Sequence, residues 1–270
     1  MRKIKASRFT QLQAERPDCP IHPYRIKWLS EYIETCTAIV GRTQRHWFRG
    51  QGSSAWSLTP SALRHPSEST RTRALESVDD FKRLVATKLD APPQAHEQLL
   101  WIQIARHYGL PTRLLDWTQN AAIALYFACE RVEEKSEQKD GLVFVFDPIE
   151  LNLAAHKEPP RVFDANKDAD LIRPYLELTG RRSPRGRPTI AIDPVWNSER
   201  LVLQKGEFTL HGAGNFALTQ KQAPSLVGLA ILHEDKEVLL NALHTIGIDE
   251  MSIFPEPEHV CSYIRHFLGL

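Results

Sequence analysis

Two short tracts carry side chains of the kinds that bind anionic ligands. The first, residues 46–51, reads HWFRGQ and places Arg49 between an aromatic pair and Gly50, which would let another backbone or a ligand come close. In an extended segment Gln51 lies on the same side as Arg49. A planar guanidinium holds two oxygens of a phosphate or carboxylate at once, so Arg49 predicts an anion site. A structural ion pair is the alternative, and the tract alone leaves both open.

The second tract, residues 107–118, reads HYGLPTRLLDWT and is predicted to be a loop held between two helices, where binding groups are often found. Asp116 or Thr118 could instead cap the following helix. Arg113 could pair with Asp116, and His107 could be a buried core histidine. The density of polar and aromatic side chains nevertheless indicates a binding surface, made of His107, Tyr108, Thr112, Arg113, Asp116, Trp117 and Thr118.

A third candidate segment, residues 197–210, reads NSERLVLQKGEFTL and offers Glu199, Gln204 and Glu207. If a carboxylate works with Arg49, Glu199 is the best placed by sequence context, and an ordinary solvated glutamate is the alternative. A basic cluster precedes this segment and could contact nucleic-acid phosphates, but it lacks interleaved aromatic residues and is typical of a solvated loop. The cluster consists of Arg181, Arg182, Arg185 and Arg187.

The elements that position these residues are predicted from apolar spacing and from turn residues. Helices are expected at residues 24–40, 70–90, 94–108, 118–131, 235–243 and 258–267. Strands are expected around residue 48 and at 142–146, 189–192, 208–210 and 226–232. Gly109 stands where a left-handed residue would end a helix. The mixture predicts an α+β fold with a central mixed or antiparallel sheet flanked by helices, in which residues 1–40 form an N-terminal helical extension and residues 41–270 the main domain.

Composition narrows the class of protein. The net charge of +1 gives no general attraction to nucleic acid or acidic membranes, and no apolar run approaches the length that crosses a bilayer. The four cysteines are scattered, and the basic N-terminus has no apolar stretch of a secretory signal, so we expect buried thiols in a reducing cytoplasm. Zinc-type spacing, a phosphate loop, a dinucleotide fingerprint and a nucleophile elbow are absent from the sequence, which leaves the common hydrolases and kinases without support.

At these residues the chain closely resembles the FRG-domain family, named for the triplet Phe48-Arg49-Gly50. The resemblance covers most of the chain from His46 onward, and it implies a domain known mostly from bacteria and their viruses, often in settings that suggest toxin or anti-phage roles. The family name carries no settled chemistry. The matching segments are HWFRGQ with Trp56, PSAL at residues 60–63, ARHYGLPTRLLDWTQNAAIALYFA at 105–128, Gln204-Lys205-Gly206 with Phe208-Thr209, and Ile253-Phe254-Pro255.

The chain is more distantly similar to ADP-ribosyltransferases of the Arg-Ser-Glu type, which would imply a split sheet. Those enzymes have an arginine and a glycine on an early strand, a Ser-Thr-Ser strand leading into a helix, and a glutamate that opens a late strand. Arg49-Gly50, residues 116–118 and Glu199 occur here in that order. The middle motif departs from the pattern, because only Thr118 keeps a hydroxyl, and Glu199 lacks an acidic residue two positions before it.

The resemblance implies a leading hypothesis, in which the domain binds NAD or a related nucleotide and transfers ADP-ribose or hydrolyses the glycosidic bond. Arg49 would hold a phosphate, Thr118 would orient the nicotinamide ribose, and Glu199 would stabilise the oxocarbenium charge. The acceptor would be macromolecular. Further contacts are expected from Gln51, His107, Tyr108, Thr112, Arg113, Asp116, Trp117 and Gln204.

Two other functions stay open. A non-catalytic sensor would recognise a nucleotide or a phage component through Arg49, Arg113 and Gln204 and pass the change to a partner protein. A nuclease or nucleic-acid binder would use His107, Asp116 and the basic cluster, and the near-neutral net charge makes it the least favoured.

Overall fold

The computed structural model describes residues 2–41, 45–134, 137–156, 159–177, 187–212 and 217–268. The strands are β1 (Trp47–Gln51), β2 (Leu114–Thr118), β3 (Glu133–Glu134), β4 (Glu137–Gln138), β5 (Gly141–Phe146), β6 (Phe163–Asp164), β7 (Ile190–Asp193), β8 (Gly206–Leu210) and β9 (Val227–Ile231). The helices are α1 (Ala6–Glu15), α2 (Leu29–Val40), α3 (Glu68–Val85), α4 (Gln98–His107), α5 (Ala121–Cys129), α6 (Pro148–His156), α7 (Ala169–Leu176), α8 (Glu199–Leu203), α9 (Lys236–Thr245), α10 (Glu250–Ile253) and α11 (Pro257–Leu268).

Within the described residues, seven strands form one sheet in the order β6-β7-β8-β2-β1-β5-β9. Its neighbours pair antiparallel except for β6 and β7, which are parallel. The predicted α+β fold with a central mixed sheet flanked by helices is therefore confirmed. The strands are short apolar runs that are buried on both faces, as in β5, where every residue is buried.

The sequence prediction was wrong for the second half of residues 107–118, which is a strand and not a loop. The first half behaves as expected, since α4 ends at His107 and Gly109 has a φ of 85°. From Leu114 onward the chain forms β2, which pairs residue by residue with β8. Leu114, Leu115 and Trp117 are buried in this central position. Burial of these apolar side chains therefore favours the strand. The sequence pattern did not predict it, because five residues are too few to show a clear alternation.

The two middle strands of the sheet, β1 and β2, share a single registered pair, Phe48 with Thr118. By contrast, β1 pairs with β5 over five residues, and β2 pairs with β8 over five. Beyond the shared pair, the backbone carbonyl of Asp116 accepts a hydrogen bond from the side chain of Arg49. The strands part here, between residues 49–51 of β1 and 114–117 of β2, and we call this opening the β1–β2 gap.

Helix α5 packs directly on β1, and Gly50 makes this contact possible. A Cβ atom at Gly50 would lie 1.8 Å from the carbonyl oxygen of Ala124 and 2.7 Å from the amide nitrogen of Ala128. The close approach expected at this glycine is therefore made by the backbone of α5. Asn120 caps the helix by accepting from the Ala122 amide, which is the role that the sequence had offered to Asp116 or Thr118.

Residues before β1 pack into the same cores as the sheet. Leu12 belongs to the cluster on one face, with Trp47 and Phe144, and Tyr32 belongs to the cluster on the other face, with Phe48 and α5. Arg8 of α1 also donates to the buried carboxylate of Asp140. The segment predicted as an N-terminal extension thus supplies core side chains to the domain.

Three sequence predictions about surface and environment have different outcomes. Within the described part of the chain, no helix is long and apolar enough to cross a membrane. Cys19, Cys36 and Cys129 are buried as expected, whereas Cys261 is exposed on α11, so burial of that thiol was wrongly predicted. Of the basic cluster, Arg187 packs over the ring of Tyr175, and the other three lie outside the described residues, namely Arg181, Arg182 and Arg185.

Candidate functional site

A cavity of about 950 Å³ opens over the β1–β2 gap. Its size lies at the upper end of the range for small-molecule sites, about 300–1,000 Å³. Both middle strands, α4, α5, α8 and the loop after β1 contribute to its walls. The polar lining residues are Arg49, Gln51, Ser57, Ser61, Arg64, Gln103, Arg106, His107, Asp116, Thr118, Glu130, Asn197, Ser198, Arg200 and Gln204.

Arg49 extends from β1 into the gap and is mostly buried. One terminal nitrogen donates to the carbonyl of Asp116 at 2.7 Å and lies 3.7 Å from its carboxylate. Its Nε has no hydrogen-bond partner among the described residues. Burial, with smaller contributions from the nearby Arg106 and Arg64, lowers the pKa of Arg49 to about 10 against the opposing effect of Asp116. The guanidinium therefore lacks full compensation and would gain from a bound anion.

Asp116 is the carboxylate that β2 contributes to the cavity lining, and Arg106 holds it from α4. The Nε and a terminal nitrogen of Arg106 donate to the two carboxylate oxygens in a bidentate pair. Burial by itself would raise the pKa of Asp116, but Arg106 first and Arg49 next lower it below its usual value. Asp116 is ionised at neutral pH and already committed to Arg106. The sequence had offered Arg113 as the partner of Asp116, and that pairing was wrong.

Positive charge exceeds negative charge around the cavity. Its described lining contains four arginines, Arg49, Arg64, Arg106 and Arg200, against two carboxylates, Asp116 and Glu130. Burial lowers the pKa of Arg64, and the charge of Arg106 lowers it further. The excess of guanidinium groups favours an anionic ligand, because arginine donors fit the oxygens of phosphate and carboxylate groups.

Aromatic side chains form the apolar part of the lining. Phe48, Trp117, Phe127 and Phe208 contribute to the walls, and Trp56 lies in the loop after β1. Trp56 is 43% exposed. By contrast, Trp117 in the same lining is buried, as are Trp47 and Trp101. An exposed indole beside a cluster of arginines is the arrangement that stacks on a flat ring next to a phosphate.

The structure brings most of the predicted site residues together. Those that line the cavity are Arg49, Gln51, His107, Asp116, Trp117, Thr118 and Gln204. Thr118 and Gln204 also contact each other, because the threonine hydroxyl donates to the Gln204 carbonyl at 2.6 Å and accepts from the Asn120 amide. That hydroxyl is therefore occupied by backbone groups at the base of the cavity.

Four predicted site residues do not line the cavity. Tyr108 is exposed on the outer surface, and Thr112 is buried beside Ser61, whose hydroxyl accepts from the Thr112 amide. Arg113 is buried on the far side, where it donates to the carbonyls of Tyr175 and His211. It borders a crevice of about 20 Å³. Burial lowers its pKa to about 10 as well.

Glu199 is the fourth, and it begins helix α8 where the resemblance had implied a strand. Ser198 caps this helix by accepting from the Leu201 amide, so the turn of α8 follows from the capping residue. The side chain of Glu199 is exposed, and the lining comes from its neighbours Ser198 and Arg200. The pairing of Glu199 with Arg49 across one cleft is not present in this structure.

The late strand β8 carries another carboxylate, Glu207, which is 2% exposed. It lies opposite Trp117 in register, and Gln119 donates to one of its oxygens. Burial, and then the neighbouring carboxylate of Asp193, raise the pKa of Glu207 to about 8. Arg45 donates to Oδ2 of Asp193 at 2.9 Å. Glu207 is protonated at neutral pH and does not line the cavity.

The sequence interpretation missed Arg64, Gln103, Arg106 and Arg200. Arg106 stands directly before the second tract, and with Gln103 and His107 it has the three- and four-residue spacing that places side chains on one helix face. That spacing was a usable signal for Gln103 and Arg106. Arg64 and Arg200 come from separate loops and helices, and only the fold brings them to the cavity.

Of the comparisons with known proteins, one finds a match, and it is to a family model. No curated protein and no solved structure matches the chain. Residues 44–137 match the family model of the FRG domain. This stretch holds β1, the loop with Trp56, α4, β2 and α5, and so most of the cavity.

Proposed function

We propose that this FRG-domain protein binds a phosphate-bearing nucleotide in the cavity over the β1–β2 gap. The observation that carries the proposal is the buried guanidinium of Arg49, whose Nε is unpartnered and whose nearest carboxylate is already held by Arg106. Burying a charge without a full partner is costly, so an anion between Arg49 and its neighbours would relieve that cost. Arg64 and Arg200 add donors for further phosphate oxygens.

A nucleotide fits better than a simple anion because of the rest of the lining. Trp56 offers an exposed ring face for stacking, and the cavity volume exceeds what a phosphate alone would need. NAD is the first candidate, since it has two phosphates and two flat rings. This choice also follows the distant similarity to ADP-ribosyltransferases. A role in bacterial defence, as a sensor or as a toxin, is part of the same proposal.

The contacts favour binding of the nucleotide without catalysis. Cleavage of the glycosidic bond of NAD needs a carboxylate near the ribose, and the two described carboxylates of the lining are Asp116, which is paired with Arg106, and Glu130. Glu199 lies outside the lining. ADP-ribose transfer remains the second candidate, favoured by one observation: Arg49 and Thr118 lie on the two strands that border the gap.

The binding proposal is tested by titrating the purified protein with NAD and following heat release or tryptophan fluorescence, since Trp56 and Trp117 line the cavity. We expect Arg49→Ala to weaken binding by about 100-fold, which corresponds to the loss of charge-assisted hydrogen bonds to a phosphate. Arg83→Ala is the matched control, because this arginine is exposed on α3, pairs with Asp80 of the same helix and does not line the cavity. Equal affinity in both variants, or no binding of NAD, ADP-ribose or ATP to the wild type, contradicts the proposal.

The second candidate is tested by the release of nicotinamide from NAD. If the domain only binds, the wild type releases none and Glu199→Ala binds as tightly as the wild type, because Glu199 does not line the cavity. Release that disappears in Glu199→Ala would establish transferase or glycohydrolase chemistry and would require α8 to move. A thermal melt of each variant checks that the fold is retained.

A further inference from the structure

Gln103 is a polar side chain that the fold buries without satisfying it. It lies in the middle of α4, is 3% exposed and forms part of the cavity wall. Neither its amide nitrogen nor its amide oxygen has a hydrogen-bond partner among the described residues. Buried carboxamides are almost always hydrogen-bonded, because both atoms lose their water when they are buried. An apolar side chain of the same size would be the more stable choice at this position.

The position of Gln103 relates it to the anion cluster. Arg106 and His107 follow three and four residues later, so all three side chains lie on the same face of α4 and all three line the cavity. Arg106 holds Asp116 beside Arg49. Gln103 therefore lies one helical turn from Arg106 and shares the cavity wall with the arginines that would hold a phosphate.

A carboxamide presents one donor and one acceptor side by side in a plane. Its natural counterpart is a flat group with the complementary pair, as in the pairing of glutamine with the amino group and ring nitrogen of adenine. Gln51, also in the lining, has a buried oxygen without a partner and adds a second acceptor to the wall.

We propose that Gln103 determines specificity by pairing with a donor–acceptor edge on a flat ring of the nucleotide. This inference rests on the proposed function, because it names the part of the nucleotide that the site distinguishes. Two groups in NAD offer this chemistry, namely the adenine edge formed by the 6-amino group and ring nitrogen N7, where hypoxanthine presents two acceptors, and the carboxamide of nicotinamide. Nucleotides that lack such an edge bind through their phosphates only.

The ligand arm of the test compares NAD with two analogues that each change one edge. Nicotinamide hypoxanthine dinucleotide replaces the adenine amino group by an oxygen, and nicotinic acid adenine dinucleotide replaces the carboxamide by a carboxylate. We expect one analogue to bind about tenfold more weakly than NAD, because a buried acceptor would then face another acceptor. The analogue that loses affinity identifies which ring Gln103 contacts.

The protein arm uses Gln103→Met, which keeps the length of the side chain and removes both polar atoms. We expect this variant to bind NAD and the discriminated analogue with equal affinity and to melt at or above the wild-type temperature, since it buries no unsatisfied group. If a glutamine has a structural role, its replacement instead lowers the melting temperature and leaves the discrimination between dinucleotides unchanged. Gln13→Met is the control, because Gln13 donates to the carbonyls of Arg16 and Cys19 and accepts from the Ile21 amide, so its replacement lowers the melting temperature and leaves discrimination intact.

The outcomes separate the two proposals. Wild-type protein that binds all three dinucleotides equally, with affinity still dependent on Arg49, overturns the role of Gln103 and leaves nucleotide binding intact. Discrimination that persists in Gln103→Met also overturns it. Failure of the wild type to bind any of the three overturns both. Discrimination that is lost in Gln103→Met without a loss of thermal stability supports the inference.

Discussion

Arg49 and Arg113 are both buried, and burial lowers the pKa of each to about 10, yet their surroundings differ. Arg113 donates to two backbone carbonyls from distant parts of the chain, has one terminal nitrogen without a hydrogen-bond partner among the described residues, and borders a crevice of about 20 Å³. Arg49 has one backbone acceptor, an unpartnered Nε and a cavity of about 950 Å³ in front of it. Burial and a lowered pKa therefore do not identify a binding residue by themselves, and the space in front of the group decides.

The largest effect on stability is expected from Arg113→Ala. Its removal leaves the carbonyls of Tyr175 and His211 without this donor in a buried place, so we expect the free energy of unfolding to fall by about 2–5 kcal/mol. Arg49→Ala removes one backbone contact and a poorly compensated charge, and we expect a fall of about 1 kcal/mol or less. Urea unfolding of both variants measures the difference. Equal losses would mean that Arg49 is also a structural residue.

A smaller loss, about 1–3 kcal/mol, is expected from Gly50→Ala, because a Cβ there must displace the backbone of α5. Gly109→Ala is the control near the second tract. It has a left-handed φ of 85° but open space around it, so we expect a loss of about 1 kcal/mol or less. If Gly50→Ala unfolds as readily as Gly109→Ala and still binds nucleotide as the wild type does, the close packing of β1 on α5 does not position Arg49.

The smallest effect on stability is expected from Glu207, a buried acid that can be compared with the two buried arginines. Its pKa rises from 4.5 to about 8, so the folded state holds a proton that the unfolded state releases, and stability is lost as the pH rises through this range. Between pH 7 and 8 we expect the wild type to lose about 1 kcal/mol more than Glu207→Gln. Urea unfolding at both pH values tests this, and parallel losses in the two proteins would contradict the assignment.

The sequence predicted the fold better than the site, for reasons that particular residues illustrate. Apolar runs such as residues 142–146 and 121–129 are long enough to show their burial, and the structure confirms the strand and the helix. Residues 114–118 are a central strand of only five residues, and the polar Asp116 within it suggested a loop. Its polarity is explained by Arg106, which lies ten positions earlier on a helix.

The candidate site was predicted where its residues lie within one tract and missed where separate elements meet. Arg49, Asp116 and Thr118 could be found because their own tracts are unusual. Arg113 belongs to the same tract as Asp116 but faces the opposite side, because side chains alternate in direction along an extended segment and the two positions are an odd number of residues apart. Arg64 and Arg200 carry no local signal, since their proximity depends on how the sheet is ordered.

The single registered pair between β1 and β2 also has a mechanical consequence. It divides the sheet into two plates, β6-β7-β8-β2 and β1-β5-β9, that are joined through one point of backbone pairing. A ligand that contacts both Arg49 on β1 and Arg106, which pairs with Asp116 on β2, would link the two halves of the sheet. Ligand binding would then reduce the motion of the two halves relative to each other, and amide hydrogen exchange along β1 and β2 would slow on binding.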